Sequence, residues 1–287
     1  DMEHHSNIVP WQLMRDERGL VLKYVSCTDD GDFRIEDIAK QITPKTKLIS
    51  LTHVSNVLGT VVPVKEVAKL AHDNGAKLMV DGAQAVMHMP VDVQDLDCDF
   101  YAFTGHKIYG PSGIGVLYGK AELLETMPPF LAGGDMISTV SMEKSTWAAL
   151  PAKFEAGTPP IAEAIGLGVA LKYVNSVGLE GIAAHEIDLL TYATQELSSI
   201  DGLRIIGTAP GKTSVISFIM DSAHPHDIST IIDRAGVSVR AGHHCAQPLM
   251  ERMGVPATTR ASFGMYNTRD EVDTLVAALD SVKELFG

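Results

Sequence analysis

Residues 77–84 read KLMVDGAQ, a short apolar run that stops at Asp81 and gives way to a glycine. A run of that kind reads as a strand, and its neighbours decide what sort of sheet it joins. Upstream, VPVKEVAKLAHDNGA (62–76) sets Val64, Val67, Ala68 and Ala71 at helical spacing, with Pro63 near its start and Gly75 near its end. Before that helix, KLISLTH (47–53) is another apolar run closing in polar residues. Downstream, CDFYAFTGHK (98–107) repeats the arrangement, and GIGVLYG (113–119) reads as one more strand. Apolar runs separated by helical stretches imply an α/β fold with a mainly parallel sheet covered by helices on both faces.

Such sheets bind ligands at the carboxyl ends of their strands. Here those ends carry Thr52, His53 and Asn56, then Asp81 and Gln84, then Thr104, His106 and Lys107. Residues 121–160 are less regular, with MPPFLAGGDM (127–136) and FEAGTPP (154–160) reading as loops. A helical stretch over about 161–176 ends at Gly178. That glycine divides a large domain, 1–177, from a smaller α+β domain, 178–287. The second domain reads as a helix (181–199), strands LRIIG (203–207) and TSVISFIM (213–220), a helix (225–235), a strand VSVR (237–240) and a final helix. In that helix Val272, Leu275, Val276, Leu279 and Val282 form one apolar stripe.

The bulk composition narrows the partners. The 287 residues are 45% hydrophobic and 21% charged, as in an ordinary globular chain. Lys and Arg number 23 against 36 Asp and Glu, a formal net charge of −13, which argues against nucleic acid or an anionic membrane as partner. Cys27, Cys98 and Cys245 are too few and too scattered for a disulfide framework, so a reduced cytoplasmic setting is expected. No apolar run has transmembrane length and no stretch resembles a leader. The chain opens on Asp1 and polar residues, which reads as a fragment or a processed form.

Lys107 sits in FTGHKIYGPSGIG (103–115) among four glycines, a histidine and a hydroxyl residue. A buried lysine becomes a nucleophile able to form a Schiff base, and pyridoxal phosphate is the cofactor that uses one. The cofactor's ring nitrogen needs a carboxylate, a role that suits Asp81, and Gln84 is in reach of the ring hydroxyl. Alternatively Asp81 caps a helix and Lys107 lies on the surface. Thr104, Gly105 and His106 are reasonable phosphate ligands. In RAGHHCAQP (240–248), Cys245 follows two histidines and lies close to Arg240, cations that favour a thiolate. Metal binding by His243, His244 and Cys245, or an inert buried cysteine, are the competing readings; no further ligand cluster accompanies the first. Arg260 suits bidentate capture of a carboxylate, or an exposed salt bridge. His4 and His5 either stack on an aromatic cofactor or are surface residues.

Taken together, EHHSNIVPW (3–11), THVSNVLGT (52–60), DGAQAVMH (81–88), DFYAFTGHKIYGPSGIGVLYG (99–119), FEAGTPP, RAGHHCAQP and RASFGMYNT (260–268) resemble the group II, SufS-like cysteine desulfurases of iron–sulfur cluster assembly, within the class V aminotransferases. The resemblance runs from residue 3 nearly to the C-terminus. It implies the type I aminotransferase-like fold, a homodimer, and conversion of L-cysteine to L-alanine with a persulfide left on Cys245 for a SufE- or SufU-type acceptor. Residue by residue it implies Lys107 as the covalent anchor of pyridoxal phosphate, Asp81 at the ring nitrogen, Gln84 at the ring hydroxyl and His4 stacked on the ring with a part in proton transfer. Thr104 and His106 match phosphate ligands, and Thr158 matches a threonine that reaches the phosphate in the partner subunit. Asn56 and Arg260, with Arg240 nearby, would hold the substrate carboxylate. A selenocysteine lyase on the same scaffold and an inactive remnant keeping a dimer or partner surface are the alternatives. A transaminase would leave Cys245 without a task. Relatives continue upstream of residue 1, so the chain is expected to represent the enzyme incompletely.

Overall fold

Three of the strand readings become the centre of one sheet in the computed structural model, which describes residues 1–286. After α1 (Val9–Arg18) and α2 (Ile35–Gln41), strand β1 (Leu48–Thr52) leads through α3 (Val64–Asp73) into β2 (Lys77–Asp81), and the short α4 (Val93–Leu96) leads into β3 (Phe100–Thr104). These three strands are parallel, and β4 (Gly115–Gly119) pairs antiparallel with β3. Helix α3 packs onto the sheet through Val64, Val67, Ala68 and Ala71, all buried, as the spacing predicts. Leu51, Leu78, Val80 and Tyr101 are buried beside it.

The less regular segment holds ordered elements on either side of MPPFLAGGDM. Helix α5 (Ala121–Thr126) follows β4, and β5 (Ile137–Val140) and β6 (Ser145–Trp147) form a separate hairpin. Its strands are short and mostly exposed, so they lack the apolar run by which a strand announces itself. Helices α6 (Ile161–Val177) and α7 (Leu179–Ser198) meet at Gly178, whose φ of 93° breaks the helical path.

Beyond α7 come β7 (Leu203–Ile206), β8 (Val215–Met220), α8 (Pro225–Asp233), β9 (Arg240–Gly242), α9 (Gln247–Arg252), β10 (Thr258–Ser262) and α10 (Arg269–Phe286). The four strands form an antiparallel sheet in the order β7–β8–β10–β9. Two details differ from the sequence reading. VSVR is not the strand; β9 starts at Arg240, where β10 lies alongside it. Strand β10 itself was unexpected. It is Thr-rich, and Thr258 and Thr259 are fully buried as the strand threads between β8 and β9. Ile216, Phe218, Ile228, Val272 and Leu279 anchor the core of this second sheet, whereas α9 buries Leu249 and Met250 in the core of the first.

Register decides where the polar strand ends fall. Thr52 pairs with Asp81, and Asp81 with Ala102. One residue further on, His53 N–H donates to the Asp81 carbonyl (2.8 Å) and Gly82 N–H to that of Ala102 (2.8 Å). Behind Gly82 lies the Tyr101 ring, its hydroxyl 2.9 Å from His53 Nδ1. Any side chain at position 82 would overlap that ring. Gly82→Ala is therefore expected to destabilise the fold by about 1–3 kcal/mol, the usual cost of overpacking. Urea unfolding measures it, and an unchanged midpoint would contradict this packing.

Candidate active site

A cleft of about 450 Å³ opens at the carboxyl ends of β2 and β3, with Asp81, Thr104, His106, Lys107, His4 and Asn7 among its lining. Lys107 follows β3 in a single 3₁₀ turn (Gly105–Lys107). Burial lowers its pKa; Asp81 and Cys245 oppose the shift, and the positive Arg260 adds to it. Asp81 turns one carboxylate oxygen back to accept Ala83 N–H at 3.0 Å. Thr104 Oγ1 lies 2.9 Å from His106 Nδ1. His4 accepts the Ser6 N–H on Nδ1 (3.1 Å), which fixes the ring; burial, followed by the Lys107 charge, keeps it below the ordinary histidine range.

A second group adjoins the first. Cys245 is exposed, in the connection between β9 and α9. It and His244 both lie in the left-handed region, with φ of 55° and 53°. Side-chain-bearing residues pay about 1–2 kcal/mol each there, so the loop must be held. Asn56 Nδ2 donates to the His244 carbonyl (2.6 Å), and His244 Nε2 donates to Thr258 at its carbonyl (3.1 Å) and hydroxyl (2.8 Å). Burial first, then the nearby Arg260 charge, lowers the His244 pKa to about 4, so the ring is neutral at pH 7. Arg260 Nη1 donates to the Asn56 carbonyl at 2.8 Å, while its buried Nε has no partner. An orphaned guanidinium N–H in that position is suited to an incoming carboxylate. Burial, reinforced by Arg240 directly across the strand pair, lowers the Arg260 pKa.

The structure thus gathers His4, Asp81, Thr104, His106 and Lys107 in one cleft, and Asn56, Arg260 and Cys245 in the adjoining group. Gln84 lies in a turn rather than one helical turn on from Asp81, and it is not part of the cleft lining. Arg240 is exposed, and Thr158 is exposed in the loop before α6. His244 turns its Nε2 onto Thr258, away from metal ligation with Cys245. A carboxylate, a half-buried amine and a hydroxyl–imidazole pair in one cleft match the donor set that pyridoxal phosphate needs, and the cleft lies within the roughly 300–1,000 Å³ of small-molecule sites.

Sequence reasoning missed Glu3 and Asn7. Glu3 accepts Thr52 N–H at 3.0 Å and the Asn7 amide at 2.7 Å, and Asn7 Oδ1 accepts from Ser50 Oγ (2.6 Å) and Trp11 Nε1 (3.0 Å). The pair straddles His4 and ties it to the end of β1. The available signal was an acid four residues before an amide, on either side of a candidate residue. Burial pushes the Glu3 carboxyl up to about 6, against the opposing pull of its bonds to Asn7 and Thr52.

The family model for aminotransferase class V matches residues 1–275. A protein of Streptomyces coelicolor named probable cysteine desulfurase is 53% identical over 289 residues, covering 100% of this chain and 69% of that protein. The crystal structure of the cysteine desulfurase CsdA (S-sulfonic acid) from Escherichia coli matches with a TM-score of 0.95 at 40% identity, covering 100% of this chain and 71% of that one. A C-DES variant with glycine covalently linked to its PLP cofactor shares the fold at a TM-score of 0.84 and 24% identity, over 100% of this chain and 73% of that one.

The Glu3 shift has a signed consequence. With its carboxyl near 6 in the folded state against 4.5 ordinarily, the group is protonated in both states at low pH and penalises the fold once ionised. The unaltered protein should therefore lose about 2 kcal/mol relative to Glu3→Gln as pH rises from about 3.5 to about 7, most of it between 4.5 and 6. Unfolding free energies of both across that window decide it, and parallel curves would remove the burial penalty.

Proposed function

This chain belongs to the class V aminotransferase family, and from that premise we propose that it is a pyridoxal-phosphate-dependent cysteine desulfurase, converting L-cysteine to L-alanine and carrying the sulfur as a persulfide on Cys245. The observation that carries the reading is one cleft holding a half-buried lysine and a strand-end aspartate, with an exposed cysteine and a half-satisfied arginine beside it. A transaminase has use for the first pair and none for Cys245.

Bound in the cleft, pyridoxal phosphate supplies a carbonyl carbon for condensation with amines and a protonated ring that takes up the electrons of a breaking Cα–H bond. Lys107 would be its covalent anchor, Asp81 would hold the ring nitrogen, His4 would cover the ring, and Gln84, in the turn beyond the cleft lining, would have to reach the ring hydroxyl. Thr104 and His106 would hold the phosphate, joined by Thr158 from the other subunit of a homodimer. Arg260 offers its unpaired Nε to the substrate carboxylate, with Asn56 and Arg240 alongside. The Lys107 amine, whose pKa burial lowers, removes the Cα proton. The Cys245 thiolate then forms an S–S bond to the substrate sulfur as the Cβ–S bond breaks. The electron pair of that bond stays with Cβ, a proton joins it, Lys107 returns a proton to Cα, and alanine leaves.

The exposed position of Cys245 suits delivery of the sulfur to a SufE- or SufU-type acceptor and on to iron–sulfur cluster assembly. Exposed apolar residues around the β5–β6 hairpin, with Phe130 at 93% and Met142 at 99%, support a homodimer. The compartment we assign is the cytoplasm. Among the described residues no helix is long and apolar enough to cross a membrane.

With pyridoxal phosphate and a reductant, the protein should release alanine from L-cysteine. Cys245→Ala should keep the cofactor absorbance and lose at least about a hundredfold in alanine release. Lys107→Ala should lose both. Undiminished release by Cys245→Ala would take the thiol out of the mechanism.

A further inference from the structure

Of the two adjacent histidines, only His4 lines the cleft. His5 is not among that lining, and it makes two bonds to the backbone immediately after the cysteine side chain, on either side of Ala246. Its backbone N–H donates to the Cys245 carbonyl at 2.7 Å, and its ring Nε2 accepts the backbone N–H of Gln247 at 3.0 Å. We propose that His5 is a positioning residue that aims the Cys245 thiol at the cleft, coupling the nucleophile's loop to the segment that carries His4.

Three observations support the assignment. First, His244 and Cys245 occupy consecutive left-handed conformations, so the loop does not hold its shape by local preference. Second, Gln247 opens α9, and the N-cap residue Ala246 has no side chain able to accept its N–H. The His5 ring fills that place from 242 residues away in sequence. Third, His4, His5 and Asn7 lie in or beside a single 3₁₀ turn (His5–Asn7) that Glu3 and Asn7 fasten to the end of β1. The Cys245 carbonyl and the Gln247 amide, both on the C-terminal flank of the nucleophile, are thus referred to the same turn that carries His4. For the ring to accept at Nε2, it must be neutral with its proton on Nδ1. The Asn56 bond to the His244 carbonyl holds the other flank, so Cys245 is gripped from the end of β1 on both sides.

The proposal rests on the desulfurase reading, and the test separates the two. The cofactor-loaded protein is compared with His5→Ala and with His5→Gln, whose amide oxygen can replace Nε2 as acceptor. His5→Ala should lower kcat for alanine release about tenfold with the KM for L-cysteine and the cofactor absorbance unchanged, and His5→Gln should restore most of the rate. Hydrogen exchange of the peptide spanning Cys245 to Leu249 should speed at least about fivefold in His5→Ala alone, a readout independent of turnover. Wild-type kinetics with wild-type exchange in His5→Ala would overturn the proposal. So would equal loss in both variants, or loss of cofactor or folding in both, since the ring would then serve the fold and not the loop. If the unaltered protein released no alanine, the functional reading would fall, and the exchange comparison would still decide whether His5 holds the loop.

Discussion

The parallel register of β1, β2 and β3 sets Thr52, Asp81 and Ala102 in one row, and the next backbone donors are satisfied across the strands. Buried amides cannot be left unpaired, so this row fixes where each chain segment leaves the sheet. Asp81 is therefore held at the rim by its main chain on one side and by the Ala83 amide on its carboxylate on the other. The absence of a side chain at Gly82 lets the Tyr101 ring close underneath. Lys107 inherits its place from the same row, three residues beyond the end of β3. The cleft is thus a consequence of strand register, and the loops only furnish it.

Burial is the common electrostatic agent. It comes first among the causes acting on Lys107, His4, His244 and Arg260, and in each case it disfavours the cation. The same effect pushes the Glu3 carboxyl upward. A chain of net charge −13 thus keeps a local cluster of cationic groups, Lys107, Arg240 and Arg260, at one rim, several of them only partly solvated. Such a place favours an anionic carboxylate over water and leaves the lysine closer to its free-base form, the two properties an amino-acid substrate with an abstractable α-proton requires.

The sheet was legible because its strands read as apolar runs with helices between them; the apolar part of KLMVDGAQ stops at Asp81, the last residue of β2, and Thr104 of CDFYAFTGHK closes β3. The residues on those ends came with it. Strand β10 was illegible for the opposite reason: its burial is that of threonines whose hydroxyls are satisfied by tertiary partners, beside a partly buried arginine, a pattern that hydropathy cannot distinguish from a loop. VSVR misled in the reverse sense, since Val237 and Val239 pack on the second core without a ladder partner. Glu3 and Asn7 were hidden because their importance lies in bonds to Thr52 and Ser50, more than forty positions away. Sequence spacing carries periodicity well and carries such long-range pairing hardly at all.

What joins the two halves of the chemistry is also long-range. The turn that leaves Asp81 ends at His88, whose Nδ1 lies 2.6 Å from Glu186 on α7, and Ser214 at the entry to β8 donates to the same carboxylate at 3.0 Å. All three residues are buried. Removing one member of such a cluster would strand the others in an apolar interior, which costs more than the intact pair contributes. Helix α9 reinforces the connection by burying Leu249 and Met250 in the first core while the loop before it carries Cys245. Cys245 therefore travels with the sheet that holds the lysine, although the strand before it, β9, belongs to the other sheet. On the proposed mechanism the thiol meets a substrate sulfur within bonding distance and needs that rigidity, because an ångström of drift in the loop would cost about a hundredfold in rate.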